Sequence, residues 1–305
     1  MSLESRFIGC LVGSAIGDAI GEMAFSFPER EALLSALGDA PELSYTDDTA
    51  MALALGESLL MVGDVDEQHL GETFRRHYRQ EPWRGYGPGP PTIFAAVEQE
   101  GFSYREAAHY LYGNGSLGNG AAMRIAPLGL FFYRSADLVE KARLSATVTH
   151  VHPIGMDGAA IQTLAIARAL SLAPGQAPDF PIFLQQIMFP GLVPELREKL
   201  KMVEALLARK VSAQEAARIL GRSVRVDESL PFALYAFLRY PCHFEDCLWC
   251  AILNGGDRDT LGTMAGAVCG AFLGVEAIPA YWRGKLENRA LLENLALDLL
   301  ARCSG

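Results

Sequence analysis

The stretches GCLVGSAIGDAIG, residues 9–21, and GTMAGAVCGAFLG, residues 262–274, both place small residues at helical spacing. Residues four positions apart lie on the same face of an α-helix. Because glycine has no Cβ atom, such a face lets two backbones approach closely. The two stretches therefore predict central helices in close contact, in a compact α-helical protein.

The rest of the chain also has helical periodicity, with apolar residues recurring at intervals of three and four. Convincing alternating strands are absent, so the sequence predicts an all-α fold. Residues Ser135, Asp157 and Ser212 precede apolar runs and are predicted N-caps. The predicted helices cover residues 49–61, 66–80, 91–101, 135–149, 157–172, 196–209, 212–220, 229–240, 244–253, 260–274 and 292–303.

Loops are predicted where proline, glycine and asparagine concentrate, at residues 81–92 and 112–124. The segment 171–181 resembles a linker, but helical runs continue on both sides of it. No composition shift divides the chain, so residues 1–305 are predicted to form one domain.

The composition limits the classes of function. The chain has 305 residues, 50% of them hydrophobic, with a net charge of −10 and no lysine or arginine run. A general nucleic-acid binder is not expected, since neutralising phosphates needs a basic surface. No uninterrupted apolar span looks long enough to cross a bilayer, and the N-terminus does not resemble a signal peptide. An acidic protein of this kind can still bind a small anion through backbone N–H groups, helix N-termini or a metal ion.

Six cysteines in a chain of this size, several of them in apolar surroundings, favour a reducing, cytoplasmic location. The cluster PCHFEDCLWC admits a zinc site made by Cys242, His243, Cys247 and Cys250. The alternative is a buried helix, because Cys247 and Cys250 lie one turn apart and no second CxxC pair exists. The spacing favours the helix.

Two acidic motifs carry the chemistry. YTDDTAMALALG, residues 45–56, and NGGDRDTLG, residues 254–262, each place two aspartates and a threonine before an apolar helix. One acid would suffice as a cap, and adjacent carboxylates repel each other. Clusters of carboxylates and hydroxyls suit hard cations such as Mg²⁺, Ca²⁺ or Mn²⁺, and the lack of histidine argues against zinc. Four carboxylates converging on one site suggest two ions, so a generic metal-dependent phosphohydrolase is one interpretation.

Six motifs in order make the chain resemble the ADP-ribosylglycohydrolase family over nearly its whole length. They are GCLVGSAIGDAIG, YTDDTAMAL, GYGPG, GNGSLGNGAAMR, SATVTHVHPIGMDGA and NGGDRDTLGTMAGAVCGAFLG. The resemblance implies an orthogonal all-α bundle with a dinuclear Mg²⁺ or Mn²⁺ site. The metal ligands it implies are Thr46, Asp47, Asp48, Asp257, Asp259 and Thr260.

The same resemblance implies a ligand loop and a reaction. Gly115, Ser116, Gly118 and Asn119 would hold the diphosphate and ribose of ADP-ribose, since glycines let backbone N–H groups reach phosphate oxygens. His150 matches a family histidine near the ligand, although by itself it could be a capping or core histidine. The implied reaction is hydrolysis of the bond between ADP-ribose and an acceptor: an arginine or serine side chain, an O-acetyl group or another small compound.

In this reaction Asp48 is the first candidate for orienting the attacking water. The chain departs from the family pattern at three positions. Phe25 stands where members often have a glutamate that reaches the metal site, and Glu22 is the nearest acid that could replace it. Arg258 replaces a small polar residue, so it either points away and offsets local charge or touches the substrate. Leu117 replaces an aromatic residue that is common in the serine-linked branch.

These departures keep other functions open. The chain could bind ADP-ribose without cleaving it, as a reader or sensor. A purely structural role is a further alternative, although a structural protein has no need to keep repelling acids. The expected partner is ADP-ribose or an ADP-ribosylated substrate, without nucleic acid or membrane, and a monomer is expected.

Overall fold

The computed structural model describes residues 1–173 and 176–303, and in these ranges all regular structure is helical. Eighteen α-helices occur there, with one 3₁₀ turn at Val275–Ala277. In chain order they are α1 Leu3–Ser26, α2 Arg30–Asp39, α3 Asp47–Val62, α4 Glu67–Gln80, α5 Gly89–Glu100, α6 Tyr104–Tyr112, α7 Gly120–Met123, α8 Ala126–Phe131, α9 Leu138–Ala146, α10 Pro153–Ser171, α11 Phe180–Gln186, α12 Pro194–Ala208, α13 Ala213–Leu220, α14 Val226–Arg239, α15 Phe244–Ile252, α16 Arg258–Leu273, α17 Ala280–Lys285 and α18 Arg289–Cys303.

The all-α prediction is confirmed, and every predicted helical run coincides with an observed helix to within a few residues. Two caps were wrong. Ser135 donates a hydrogen bond to Asp137, and α9 begins only at Leu138. Asp157 lies inside α10, which begins at Pro153; there it pairs with Arg143 at 2.6 Å. Ser212 caps α13 as predicted, accepting from the Glu215 N–H at 3.1 Å.

Helices α1 and α16 form the central pair, in contact along their length. A Cβ atom added to Gly17 would lie 2.0 Å from the carbonyl oxygen of Gly262, closer than any real contact. The same holds at Gly9, Gly13 and Gly21, each of which faces the α16 backbone. The glycines therefore set the distance between the two helices, as their spacing predicted.

Helix α1 is long and apolar enough, by length and composition, to cross a membrane. However, 83% of its most apolar window is buried inside the protein, mainly against α16. This is the position of a core helix.

The cysteines behave as the helical interpretation predicted. Cys247 and Cys250 are buried on α15, whereas Cys242 is exposed. Nearby, the indole rings of Trp249 and Trp282 pack edge to face at 5.4 Å in the core. The linker-like segment 171–181 falls partly outside the described residues, and α11 begins directly before its end.

Candidate functional site

A cavity of about 680 Å³ opens where the N-termini of α3 and α16 meet the loop before α7. Its wall contains most of the predicted site residues: Asp47, Asp48, Gly115, Ser116, Leu117, Gly118, Asn119, His150, Asp257, Asp259 and Thr260. Thr46 and Glu22 line a smaller neighbouring cavity of about 370 Å³, which shares Gly85 and Asp259 with the first. The structure therefore brings the two acidic motifs and the glycine-rich loop to one place.

Asp18, fully buried on α1, fixes the start of α3. Its carboxylate accepts from the backbone N–H groups of Thr46 and Thr49 at 3.0–3.1 Å, and from their hydroxyls at 2.8 and 2.6 Å. The sequence interpretation gave Asp18 no role. A signal was present, because an acid on a buried, glycine-spaced helix needs several donors to satisfy it.

The first acidic motif begins α3 with Thr46 as N-cap. The Thr46 hydroxyl accepts from the Asp48 N–H at 3.4 Å while donating to Asp18. Asp48 meets the second motif directly, since the Thr260 hydroxyl donates to its Oδ1 at 3.5 Å. Its other oxygen, Oδ2, is buried, and no hydrogen-bond partner among the described residues reaches it.

The second acidic motif depends on two glycines that have left-handed backbone angles. Gly255 and Gly256 have φ of +78° and +81°, which glycine adopts without the cost that a side chain imposes. The turn brings the Asp257 N–H to the carbonyl of Arg222 at 2.8 Å. The Asp257 carboxylate then accepts from the amide of Asn119 at 2.7 Å. Asn119 thus links the glycine-rich loop to the acids.

The acids are held at a high electrostatic cost. Burial, followed by repulsion from neighbouring aspartates, raises the pKa of Asp47 to about 7 and that of Asp259 to about 8. Burial also raises the pKa of Asp18 to about 6, although its four donors oppose the change. For Asp48 the same causes raise the pKa well above its ordinary value. A charge cluster of this kind is typical of sites that bind cations or act as acids and bases.

The donor set fits divalent cations of the Mg²⁺ class. It offers carboxylate and hydroxyl oxygens, with one buried oxygen of Asp48 lacking a partner. Over residues 1–173 and 176–303, no three carboxylates, imidazoles or thiols already stand in an arrangement that would hold one ion. If two ions shared the acids and the threonine hydroxyls, each ion would need fewer than three carboxylates.

Arg124 is a buried cation in the cavity wall that the sequence interpretation missed. It is 1% exposed and its guanidinium lies 4.6 Å from the ring centre of Phe74. Its positive charge lowers the pKa of Asp47, which partly offsets burial. Two of its nitrogens, Nε and Nη1, are buried without a partner among the described residues. Arg124 therefore supplies positive charge beside the acids.

The glycine-rich loop rests on His150. Gly115 has φ of +87°, and the Ser116 hydroxyl accepts from the Gly118 N–H at 3.0 Å, which closes a tight turn. A Cβ atom on Gly120 would lie 3.0 Å from Cε1 of His150, so this ring packs directly under the loop. Burial, together with the charge of Arg124, lowers the pKa of His150 to about 3. The imidazole is therefore neutral, with Nδ1 2.7 Å from the Thr149 hydroxyl.

The smaller cavity is lined by Glu22, the acid that could replace the family glutamate, and by an exposed aromatic residue. Glu22 lies on α1, one turn after Asp18, and its charge contributes to the raised pKa of Asp259. Trp83 borders the same cavity and is 72% exposed. Phe25 is 49% exposed and does not line either cavity.

Arg84 braces the loop at this cavity. Its guanidinium forms two hydrogen bonds to Glu287, both at 2.7 Å, and donates to the Tyr45 carbonyl at 3.1 Å. It also lies 4.2 Å from the ring centre of Tyr45. These contacts join the residues before α3 to the segment before α18.

Arg258 points away from the acids. Its Nη1 donates to the Ile252 carbonyl at 2.6 Å, and it lines a third cavity that shares no wall residue with the large one. The sequence left two roles open for Arg258. This geometry favours the role in which Arg258 points away over contact with a ligand in the large cavity.

Comparison with known proteins supports the family resemblance found in the sequence. The sequence profile of the ADP-ribosylglycohydrolase family matches residues 1–305. The chain is 34% identical to the ADP-ribosylhydrolase ARH3 of Mus musculus over 97% of this chain and 91% of that protein. For the Homo sapiens ADP-ribosylhydrolase ARH3 the identity is 33%, covering 97% and 93%. A solved structure titled ADP-ribosylglycohydrolase-related protein complex covers 99% of both chains, with a TM-score of 0.75 and 28% identity. This chain belongs to the ADP-ribosylglycohydrolase family.

Proposed function

We propose that this protein hydrolyses the bond between ADP-ribose and an acceptor, using two divalent cations, Mg²⁺ or Mn²⁺. The observation that carries the proposal is the convergence of four aspartates and a glycine-rich loop on one cavity. Its volume of about 680 Å³ suits a nucleotide-sized ligand. The relatives named ADP-ribosylhydrolase support the substrate class.

The residues proposed to hold the cations are Thr46, Asp47, Asp48, Asp257, Asp259 and Thr260. Bound divalent cations would orient the hydroxyls of the distal ribose and stabilise charge in the transition state. Asp18 positions this set by fixing the residues around Thr46, and Asn119 positions Asp257. The positioning residues would keep the oxygens in place while the acids repel one another.

The glycine-rich loop would bind the diphosphate. Gly115 and Gly118 line the large cavity, and glycine lets a backbone come close to phosphate oxygens. The neutral His150 supports the loop from below. It can also accept or donate one hydrogen bond without adding charge next to Arg124.

Asp48 is proposed to orient the attacking water, and Glu22 to exchange a proton with the acceptor side. Asp48 lies in the large cavity and Glu22 in the smaller one, on either side of Asp259. A glycosidic bond needs a water on one face and a proton donor at the leaving group on the other. The proposal therefore assigns the two roles to carboxylates in neighbouring cavities.

The test is release of ADP-ribose from arginine-linked, serine-linked and O-acetyl substrates, each with Mg²⁺ and with EDTA. We expect release from one class, lost in EDTA and reduced at least about a hundredfold in Asp257→Asn, since one misplaced cation ligand removes transition-state stabilisation. Asp298→Asn is the matched control, because Asp298 is exposed on α18. Release that is equal with and without metal, or equally reduced in both variants, would refute the proposal; free phosphate or AMP as product would favour a phosphohydrolase.

Binding of ADP-ribose without turnover is the second candidate function. It rests on the departure at Phe25, which stands where family members often have a glutamate and which lines neither cavity. Saturable binding of ADP-ribose by the metal-loaded protein, with no product from any substrate, would support it. Phe25→Glu would then be the variant that tests whether this position alone prevents catalysis.

A further inference from the structure

A second large cavity lies behind the loop that carries the second acidic motif. Its volume is about 680 Å³, and its wall includes Arg218 on α13 together with Arg222 and Arg258. None of its wall residues belongs to the proposed ADP-ribose cavity. It is therefore a separate space.

The segment from Gly255 to Asp259 and the residue Arg222 separate the two cavities. Along this segment, neighbouring residues line different cavities. Asp257 and Asp259 line the ADP-ribose cavity, whereas Gly255 and Arg258 line the one behind it. The partition is tight, because a Cβ atom on Gly256 would lie 2.0 Å from the carbonyl oxygen of Arg222. The arginines are thus held on the side away from the acids.

The three guanidinium groups are not neutralised by close salt bridges among the described residues, although the charge of Glu29 reaches Arg258. Among the described residues, Arg218, Arg222 and Arg258 form no ion pair, although Glu29 and Glu215 also line the cavity. Such a cluster is unusual in a chain with a net charge of −10, where carboxylates outnumber basic groups. With three arginines and two glutamates in its wall, the cavity has one positive charge in excess.

Arg222 and Arg258 converge on Gly255. The Cβ position of this glycine lies 3.4 Å from Nε of Arg222 and 4.0 Å from Nη2 of Arg258. Each arginine makes a hydrogen bond to a carbonyl, Arg222 to Ala217 at 3.5 Å and Arg258 to Ile252 at 2.6 Å. Nε of Arg222 is buried and has no partner in the described part of the chain. A buried, unsatisfied N–H indicates a missing acceptor.

We propose that this cavity binds the phosphate group of a phosphate-bearing ligand through Arg218, Arg222 and Arg258. Guanidinium groups match the geometry of phosphate oxygens with paired N–H donors. The volume exceeds what inorganic phosphate fills, so the natural ligand is a phosphate ester with an organic part in the remaining space.

The test is titration of the metal-free protein with inorganic phosphate in EDTA, by calorimetry, with ionic strength held constant by chloride. Arg218→Gln is the decisive variant, because Arg218 is exposed and its loss leaves the fold intact. We expect saturable binding that weakens about tenfold in Arg218→Gln and in Arg258→Thr, as for loss of one charge-assisted hydrogen bond. Arg168→Gln, which removes an equal charge from the exposed face of α10, is the matched control and keeps the wild-type affinity.

The assay needs no hydrolysis, so its result is independent of the proposed activity. No saturable binding would overturn the inference. An unchanged affinity in both cavity variants would also overturn it, because the phosphate would then bind elsewhere. An equal loss of affinity in Arg168→Gln would overturn it as well, because net charge alone would then explain the effect.

Discussion

Replacing Gly17 by alanine tests the central packing and its link to the site. The added methyl group would lie 2.0 Å from the carbonyl oxygen of Gly262 and 2.3 Å from its carbonyl carbon. Both atoms belong to the backbone of α16, so no side chain can rotate away. Since an ordinary contact between carbon and oxygen is about 3.5 Å, the two helices must separate by at least about 1 Å.

The energetic cost follows from this geometry. Overpacking a core costs typically about 1–3 kcal/mol, and a rigid backbone on both sides places Gly17→Ala at the upper end. Alanine recovers about 1 kcal/mol through its better helix propensity. We therefore expect a net loss of about 2 kcal/mol in the free energy of unfolding.

Urea denaturation followed by circular dichroism measures this loss. Gly38→Ala is the matched control: Gly38 lies in α2, and an added Cβ atom there meets no atom within 4 Å. That variant should be equal to wild type or more stable by up to about 1 kcal/mol. If Gly17→Ala were as stable as Gly38→Ala, the close-packed glycine face would not hold α1 against α16.

A second measurement connects the packing to the site. Gly17 directly precedes Asp18, and Gly262 follows Thr260 by two positions. Separation of the helices would therefore move the support of the first acidic motif away from the second motif. We expect Gly17→Ala to weaken the stabilisation by Mg²⁺ while the folded variant remains helical. Unchanged Mg²⁺ stabilisation would contradict this link.

Three other predictions concern charge. In EDTA, the free energy of unfolding should fall as pH rises from about 4 to about 8 and then level off. The raised pKa values of Asp47 and Asp259 mean that the folded protein keeps protons which the unfolded chain releases near pH 4, so this stability is fully present at low pH and is gone once the folded groups have ionised. A flat urea midpoint between pH 5 and about 9 would contradict this prediction. Asp47→Asn should stabilise the metal-free protein at pH 8 by up to about 4 kcal/mol, because the pKa of Asp47 is raised from 3.8 to about 7 and each pKa unit corresponds to about 1.4 kcal/mol. The same variant should abolish the rise in melting temperature on adding Mg²⁺. Reduced stability in EDTA would contradict the cost assigned to burying this charge beside other aspartates. Arg84→Gln should cost about 3 kcal/mol in urea denaturation, since it removes both hydrogen bonds to Glu287 and the one to the Tyr45 carbonyl. A loss below about 1 kcal/mol would show that the pair is dispensable.

The features that depend on local spacing could be predicted from the sequence. Helical periods, the glycine faces of α1 and α16, and the acids before α3 and α16 all depend on residues close together in the chain. The cap at Ser135 failed because its hydroxyl donates to Asp137, two positions on, and α9 begins only at Leu138. The cap at Asp157 failed because α10 already begins at Pro153. An N-cap side chain accepts from the free N–H groups of the first turn, so the cap depends on the residue at which the helix begins, which periodicity gives only to within a few residues.

The supporting residues of the site could not be predicted, because their roles need partners far along the chain. Asp18 meets Thr46 across 28 positions, and Asn119 meets Asp257 across 138. Arg124 had no charged neighbour in sequence, yet it lies in the wall of the cavity. Buried polar groups of this kind can be expected to find partners, but the fold decides which ones.

The placement of the three tryptophans has a spectroscopic consequence. Trp249 and Trp282 are 5% and 0% exposed, whereas Trp83 is 72% exposed beside the cavity of Glu22. A water-soluble quencher should therefore extinguish the emission of Trp83 and spare the buried pair. Fluorescence of the unmodified protein then separates into a constant internal reference and a signal from the smaller cavity, so that a ligand entering that cavity can be followed without any label.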